Sequence, residues 1–101
     1  MNLVRLQVLT EHFEELGDYP MAESFNRQII AIKETEYGPD ASQLIPDLHN
    51  LAMLLEAQDN RPDALRTAKR AYKIAKENNS DSLGDIGNLI IEVANGARAV
   101  S

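Results

Sequence analysis

Apolar residues recur at steps of three and four along most of the chain, and this spacing predicts helices with no convincing strand. Five segments carry the pattern, and the fifth extends from Leu83 to about Val100. The predicted inward faces, in chain order, are Leu3, Leu6, Leu9, Phe13 and Leu16; Ala22, Phe25, Ile29 and Ile32; Leu48, Leu51, Ala52 and Leu55; Ala64, Ala68, Ala71 and Ile74; and Ile86, Ile90, Val93 and Ala97. The chain is therefore predicted to be all-α.

The segments between the predicted helices alternate in length. Short turns follow Leu16 and Gln58 and predict antiparallel hairpins, whereas longer links follow Glu36 and Asn78 and join one hairpin to the next. We expect a single domain over residues 1–101. It has one hairpin at about 3–40, a second at about 45–80, and a capping helix at about 83–100 that covers the second hairpin.

Part of the first hairpin returns in the second at an offset of 42 residues. The repeated positions are Leu6 and Leu9 with Leu48 and Leu51, Pro20 and Ala22 with Pro62 and Ala64, and Ile32 with Ile74. Repetition at such a period indicates stacked helical hairpins, an architecture that usually binds other proteins.

Three strings carry a family resemblance: LGDYPMAE at 16–23, AIKE at 31–34 followed by GPD at 38–40, and LHNLA at 48–52. They resemble the tetratricopeptide repeat, in particular the 42-residue variety found in kinesin light chains. The resemblance implies an α-α superhelix of two hairpins and a C-terminal capping helix. The chain departs from the family at Asn26 and Ala68, where an aromatic residue is usual, and at Asp59, which replaces the hairpin glycine.

In that family the first helices of the hairpins line a concave groove that holds a peptide, so the resemblance implies an adaptor without enzymatic activity. Transferred to this chain, the groove positions are Gln7, Glu11 and Glu14; His49, Asn50, Met53 and Glu56; and Asn88, Ile91 and Asn95. Asn50 matches an asparagine that family members use to hydrogen-bond the ligand backbone. The alternative for each position is the solvated face of an amphipathic helix, and for Met53 it is a place in the core.

Charge narrows the expected partners. Sixteen acidic and ten basic residues give a formal net charge of −6, which disfavours nucleic acid and anionic membranes and favours a basic or neutral protein or peptide. The absence of cysteine excludes disulfides and thiolate chemistry, and the cytoplasm fits that composition. No apolar run approaches the length that spans a bilayer.

The residues give no support to an enzyme, a metal site or a cofactor. His12 and His49 lie on different predicted helices without metal-ligand spacing, and His12 is expected to be partly buried. No glycine-rich loop follows a strand, and no serine occupies a nucleophile elbow. Chaperone-binding members grip an acidic peptide with a clamp of lysine, arginine and asparagine. The matching positions here are Gln7, Glu11, Asn50, Asn88 and Glu92, and only Asn50 agrees with that clamp.

Self-association is the second hypothesis, with the chain as a homo-oligomeric scaffold module. The fourth helix carries a basic stripe of Arg66, Lys69, Arg70, Lys73 and Lys76 that could meet the acidic first helix of another copy. Val4 and Leu54 are expected to be exposed and could pair across a two-fold axis. Met1 and the capping helix favour a complete chain over a piece of a longer repeat protein.

Overall fold

The computed structural model describes residues 2–95 and confirms the all-α prediction. Its five α-helices are α1 (Leu3–Glu15), α2 (Tyr19–Tyr37), α3 (Ile45–Ala57), α4 (Arg61–Glu77) and α5 (Leu83–Asn95), and a 3-10 turn at Ser42–Leu44 precedes α3. Residues 2–95 contain no strand. The predicted continuation of the fifth helix to Val100 lies outside the described residues.

The helices form two layers. Helix α2 packs against α1 and α3, and α4 packs against α3 and α5, so α1, α3 and α5 form one layer and α2 and α4 form the other. The molecule measures 39 × 34 × 19 Å, and the shortest dimension corresponds to about two helix diameters. The result is the predicted pair of antiparallel hairpins, α1–α2 and α3–α4, with α5 packed against the second.

Three helix ends close in the same way. Gly17, Asp59 and Asn79 have φ angles of 76°, 62° and 52°. In each case the following residue donates its amide to a carbonyl five residues earlier at 2.9 Å, which is the Schellman arrangement. Asp59 therefore adopts the left-handed conformation of Gly17 at the equivalent turn, as a short polar side chain can.

The core is concentrated around the second hairpin, where small residues let the helices approach closely. Ala22 and Ala64, the alanines of the 42-residue repetition, are both fully buried. The buried cluster comprises Ile30, Leu44, Ile45, Leu48, Leu51, Ala52, Leu55, Ala64, Ala68, Ala71, Ile74, Ala75, Ile86, Leu89 and Val93. It unites α3, α4 and α5 with Ile30 of α2 and with the 3-10 turn.

Three predicted side-chain environments are wrong. Leu16 is 64% exposed because α1 ends at Glu15, so Leu16 no longer follows the apolar face. Leu54 is buried in α3 and cannot pair across a two-fold axis, whereas Val4 is exposed as expected. His12 is exposed, and its ring meets the ring of Phe13 edge-on at 5.3 Å.

Two polar links at Asp47 join the hairpins. The ammonium of Lys33 on α2 lies 2.7 Å from the Asp47 carboxylate, and the two side chains are only 15% and 13% exposed. Asn26, also on α2 and 1% exposed, donates its amide to the Asp47 carbonyl at 3.0 Å. Pro46 lies in the first turn of α3, where it is tolerated because the amides of that turn have no intrahelical partner.

A further link ties α4 to the end of α2. Arg70 donates to the Glu34 carboxylate at 2.6 Å and to the Pro39 carbonyl at 2.9 Å. Arg70 thus holds the segment between the hairpins against the outer layer, and part of the predicted basic stripe is used within the fold.

Replacing either repeated alanine by leucine is expected to destabilise the protein. Ala22→Leu or Ala64→Leu adds three carbons where no space exists, so the free energy of unfolding should fall by about 1–3 kcal/mol. Ala31→Leu is the control, because Ala31 lies on α2 but is exposed. Urea unfolding measures all three variants, and equal stabilities for Ala22→Leu and Ala31→Leu would contradict the helix crossing.

The ion pair between Lys33 and Asp47 is expected to be coupled more strongly than a surface pair. A double-mutant cycle of Lys33→Met and Asp47→Asn should give an interaction energy of about 1–3 kcal/mol, since both charges are largely shielded from water. The control cycle uses Arg27→Met and Glu23→Gln, whose pair on α2 is more exposed and should give less than about 1 kcal/mol. An equal interaction energy in both cycles would show that the ion pair between Lys33 and Asp47 is no stronger than a surface ion pair.

Candidate interaction groove

The first depression on the α1, α3 and α5 layer lies at the seam between α1 and α3, and we call it the α1–α3 recess. It has a volume of about 440 Å³. Its lining comprises Gln7, Thr10, Glu11, Glu14, Asn26, Ile29, Pro46, Asp47 and Asn50. Steps of three and four residues on α1 place Gln7, Glu11 and Glu14 on one face of that helix.

The second depression lies at the seam between α3 and α5, and we call it the α3–α5 recess. It has a volume of about 320 Å³ and is lined by His49, Met53, Glu56, Asp85, Asn88, Leu89 and Glu92. Helix α3 contributes Asn50 to the α1–α3 recess and His49, Met53 and Glu56 to the α3–α5 recess. Their spacing places these four side chains on one side of the helix. The two recesses therefore border the same face of α3.

The structure brings eight of the ten predicted groove residues to these two recesses. Gln7, Glu11, Glu14 and Asn50 line the α1–α3 recess, and His49, Met53, Glu56 and Asn88 line the α3–α5 recess. Ile91 and Asn95 are exposed on α5 but line neither. Met53 is 49% exposed, so its alternative place in the core is wrong.

Sequence reasoning missed several lining residues for identifiable reasons. Asp85 lies one turn before Asn88. The groove positions of the fifth helix are transferred at the 42-residue offset, which places the start of that helix after Asp85, so Asp85 is not among them. A step of three residues back from Asn88 along the same face would have found it. Asn26 comes from α2, in the other layer, and only the packing of α2 between α1 and α3 brings it to the recess.

A chain of side-chain amides runs beneath the α1–α3 recess. Asn26 donates to the Asp47 carbonyl at 3.0 Å, and its own oxygen accepts from the Asn50 amide at 3.4 Å. The Asn50 amide also donates to Glu14 on α1 at 2.8 Å. These contacts join α1, α2 and α3 at one point, and they hold Asn50 in the lining of the recess.

The charge of both recesses is acidic. The acidic side chains that line them are Glu11, Glu14, Asp47, Glu56, Asp85 and Glu92. Among the described residues that line either recess there is no lysine or arginine, although Lys33 reaches the Asp47 carboxylate from α2. The layer of α1, α3 and α5 thus presents a negative potential along the candidate groove.

The outer layer has a different charge pattern. Lys69, Lys73 and Lys76 are exposed on α4, whereas Arg66 and Arg70 form ion pairs with Asp63 and Glu34. A third depression, of about 520 Å³, lies between α2 and α4 and mixes acidic with basic side chains. Hydrogen bonds from Asn60 and then from Arg66 hold the pKa of Asp63 below its ordinary value.

Within residues 2–95, no group of three histidine, acidic or cysteine side chains is placed to hold a metal ion. None of the helices in that range combines the length and apolar character that a bilayer span requires.

Comparison with known proteins identifies the family. A search of the curated proteins finds no match. The profile described as tetratricopeptide repeat matches residues 7–77, which include α2, α3, α4 and most of α1. This match covers well over half of the chain and agrees with the five helices, the two layers and the repeated alanines. The 42-residue subtype stays a prediction from the spacing, but the chain belongs to the tetratricopeptide-repeat family.

Proposed function

We propose that this protein is a non-enzymatic adaptor that binds a peptide segment of a partner protein along the groove of α1, α3 and α5. One observation carries the proposal: eight predicted groove residues, from α1, α3 and α5, line the two recesses, and both recesses border the same face of α3. Protein–protein interaction is the usual role of stacked helical repeats, and their concave layer is the usual ligand surface.

The partner is proposed to be a basic or neutral protein or peptide. The formal charge of −6 and the acidic lining of both recesses support this choice, because potentials of opposite sign attract and like potentials repel. An acidic C-terminal peptide of the kind gripped by chaperone-binding members is disfavoured. Glu11 and Glu92 would lie beside its carboxylates.

The two recesses also suggest the form of the ligand. They follow one another across the α3 face, so a single segment could contact Asn50 in the first and Met53 in the second. Met53 offers a flexible apolar contact that adapts to different side chains. An extended segment of about twelve residues would be as long as the longest dimension of the molecule, 39 Å.

The second candidate function is homo-oligomeric assembly, and the separation of charge between the layers favours it. Lys69 and Lys73 on α4 could meet the Glu11 and Glu14 carboxylates of another copy. The surfaces lie on opposite layers, so the contact would be head-to-tail and would form rings or filaments. Exposed Val4 and Val8, one turn apart on α1, could add apolar area to such a contact.

Selection from a displayed library of random linear peptides tests the adaptor function. The enriched peptides should lose at least about tenfold in affinity for a His49→Ala/Met53→Ala variant, because both side chains line the groove. Lys69→Ala/Lys73→Ala is the control, because those side chains are exposed on the outer layer, and it should bind as the unmodified protein does. Equal binding to the unmodified protein and the groove variant would place the ligand elsewhere.

Light scattering after size exclusion separates the two functions. The adaptor function predicts a monomer of 11.2 kDa at low and high salt, which leaves the groove accessible. Assembly through the charged faces instead predicts a larger mass at low salt that falls at high salt, because added ions screen exposed charges. In that case Lys69→Glu/Lys73→Glu should give a monomer at low salt.

A further inference from the structure

In the α1–α3 recess, groups that can only accept hydrogen bonds determine how the side-chain amides of Asn26 and Asn50 are oriented. The Asp47 carbonyl can only accept a hydrogen bond, so the side-chain amide of Asn26 directs its nitrogen to it and its oxygen to Asn50. The Glu14 carboxylate, when ionised, also only accepts. Asn50 lies between these two acceptors and donates to both, at 3.4 Å and 2.8 Å.

Asn50 therefore uses its N–H donors in hydrogen bonds within the protein. A side-chain amide has two N–H donors and one carbonyl oxygen, and the contacts with Asn26 and Glu14 use both donors. The atom of Asn50 that is left for a ligand is the acceptor Oδ1. Asn50 is thus predisposed to accept a hydrogen bond from a ligand and not to donate one.

The neighbouring side chains of the recess also present mainly hydrogen-bond acceptors to a ligand. Glu11 and Glu14 add carboxylate oxygens one helical turn apart, and the Thr10 hydroxyl donates to the Leu6 carbonyl at 2.8 Å. Gln7 keeps its N–H donors at the exposed edge of the recess, whereas Asn26, which also lines the recess, is 1% exposed and donates to the Asp47 carbonyl. Ile29 and Pro46 supply apolar surface beside these acceptors.

We propose that the α1–α3 recess binds the cationic side chain of a lysine or arginine in the partner peptide. This inference rests on the proposed adaptor function and narrows its partner class from basic or neutral to basic. The cation would donate to Glu11, Glu14 and the Asn50 oxygen, in charge-assisted hydrogen bonds, while its methylene stem lies along the apolar surface. An apolar or acidic side chain in the same place would bring no donor to Glu11 or to the Asn50 oxygen, and a neutral amide would donate without the attraction of opposite charges.

The test measures which fixed residue a peptide needs. The probes are fluorescent peptides of about twelve residues, long enough to span the molecule. Each has a Gly/Ser/Ala background and two fixed positions that carry Lys, Arg, Gln, Leu or Glu. Fluorescence anisotropy should show binding of the Lys and Arg peptides at low salt and a marked loss at high salt. The Gln, Leu and Glu peptides should bind at least about tenfold more weakly.

Charge-neutral variants locate the cation. Glu11→Gln/Glu14→Gln removes two charges from the recess, and the new amide at the second position keeps an oxygen that can accept from Asn50. Affinity for the Lys and Arg peptides should fall at least about tenfold. The control is Glu36→Gln/Glu77→Gln, which removes the same charge from exposed positions on α2 and α4 and should change affinity less than about twofold. Circular dichroism of both variants verifies that the fold is retained.

Three other results would overturn the inference, and they differ in what they mean for the adaptor function. Preferred binding of Leu, Gln or Glu peptides, lost in His49→Ala/Met53→Ala, would keep the adaptor function and reject the cation site. No binding of any peptide, together with failure of the displayed library, would reject both. A salt-sensitive oligomer that disappears in both Glu11→Gln/Glu14→Gln and Lys69→Glu/Lys73→Glu, without peptide binding, would place a second copy in the recess.

Discussion

The arrangement of this protein depends on the polar joint at Asp47, at the start of α3. Lys33 binds its carboxylate at 2.7 Å and Asn26 binds its carbonyl at 3.0 Å, and both come from α2. An ion pair with little solvent exposure requires good geometry to offset the loss of hydration, so it tolerates few relative positions of the two helices. The joint therefore restricts how the first hairpin is placed against the second, together with the packing of Ile30 and the contacts of Arg70. It lies at the seam between α1 and α3.

The two hairpins are held by different kinds of interaction. The second is built around a continuous apolar cluster that α5 covers. The first relies on fewer fully buried side chains, on the stacked rings of Phe13 and Phe25 at 5.7 Å, and on the polar contacts of Asn26. Asn26 occupies the position of the buried Ala68 in the second hairpin, and its buried amide is satisfied by Asp47 and Asn50. A departure from the family pattern thus links stability to the candidate groove.

Charge follows the two-layer architecture. Acidic side chains of α1, α3 and α5 line the recesses, while lysines on α4 lie on the outer layer and two arginines are paired within the fold. The net charge of −6 alone does not specify where on the surface the acidic and basic side chains lie. The division of charge between the layers makes the lining of the candidate groove acidic, and an acidic surface attracts cationic groups and repels anionic ones.

The sequence by itself determined the helices, their antiparallel order and the close crossings at Ala22 and Ala64, because these features depend on local periodicity, turn chemistry and side-chain size. It also predicted most of the side chains of α1 and α3 that line the two recesses. It missed the exposure of Leu16, which depends on where α1 ends. It also missed the burial of Leu54, which depends on the position of a neighbouring helix. The tertiary structure alone decided that Asn26 reaches Asn50 and that Asp85 lines a recess. These contacts depend on how separate helices are packed, which periodicity within one helix does not specify.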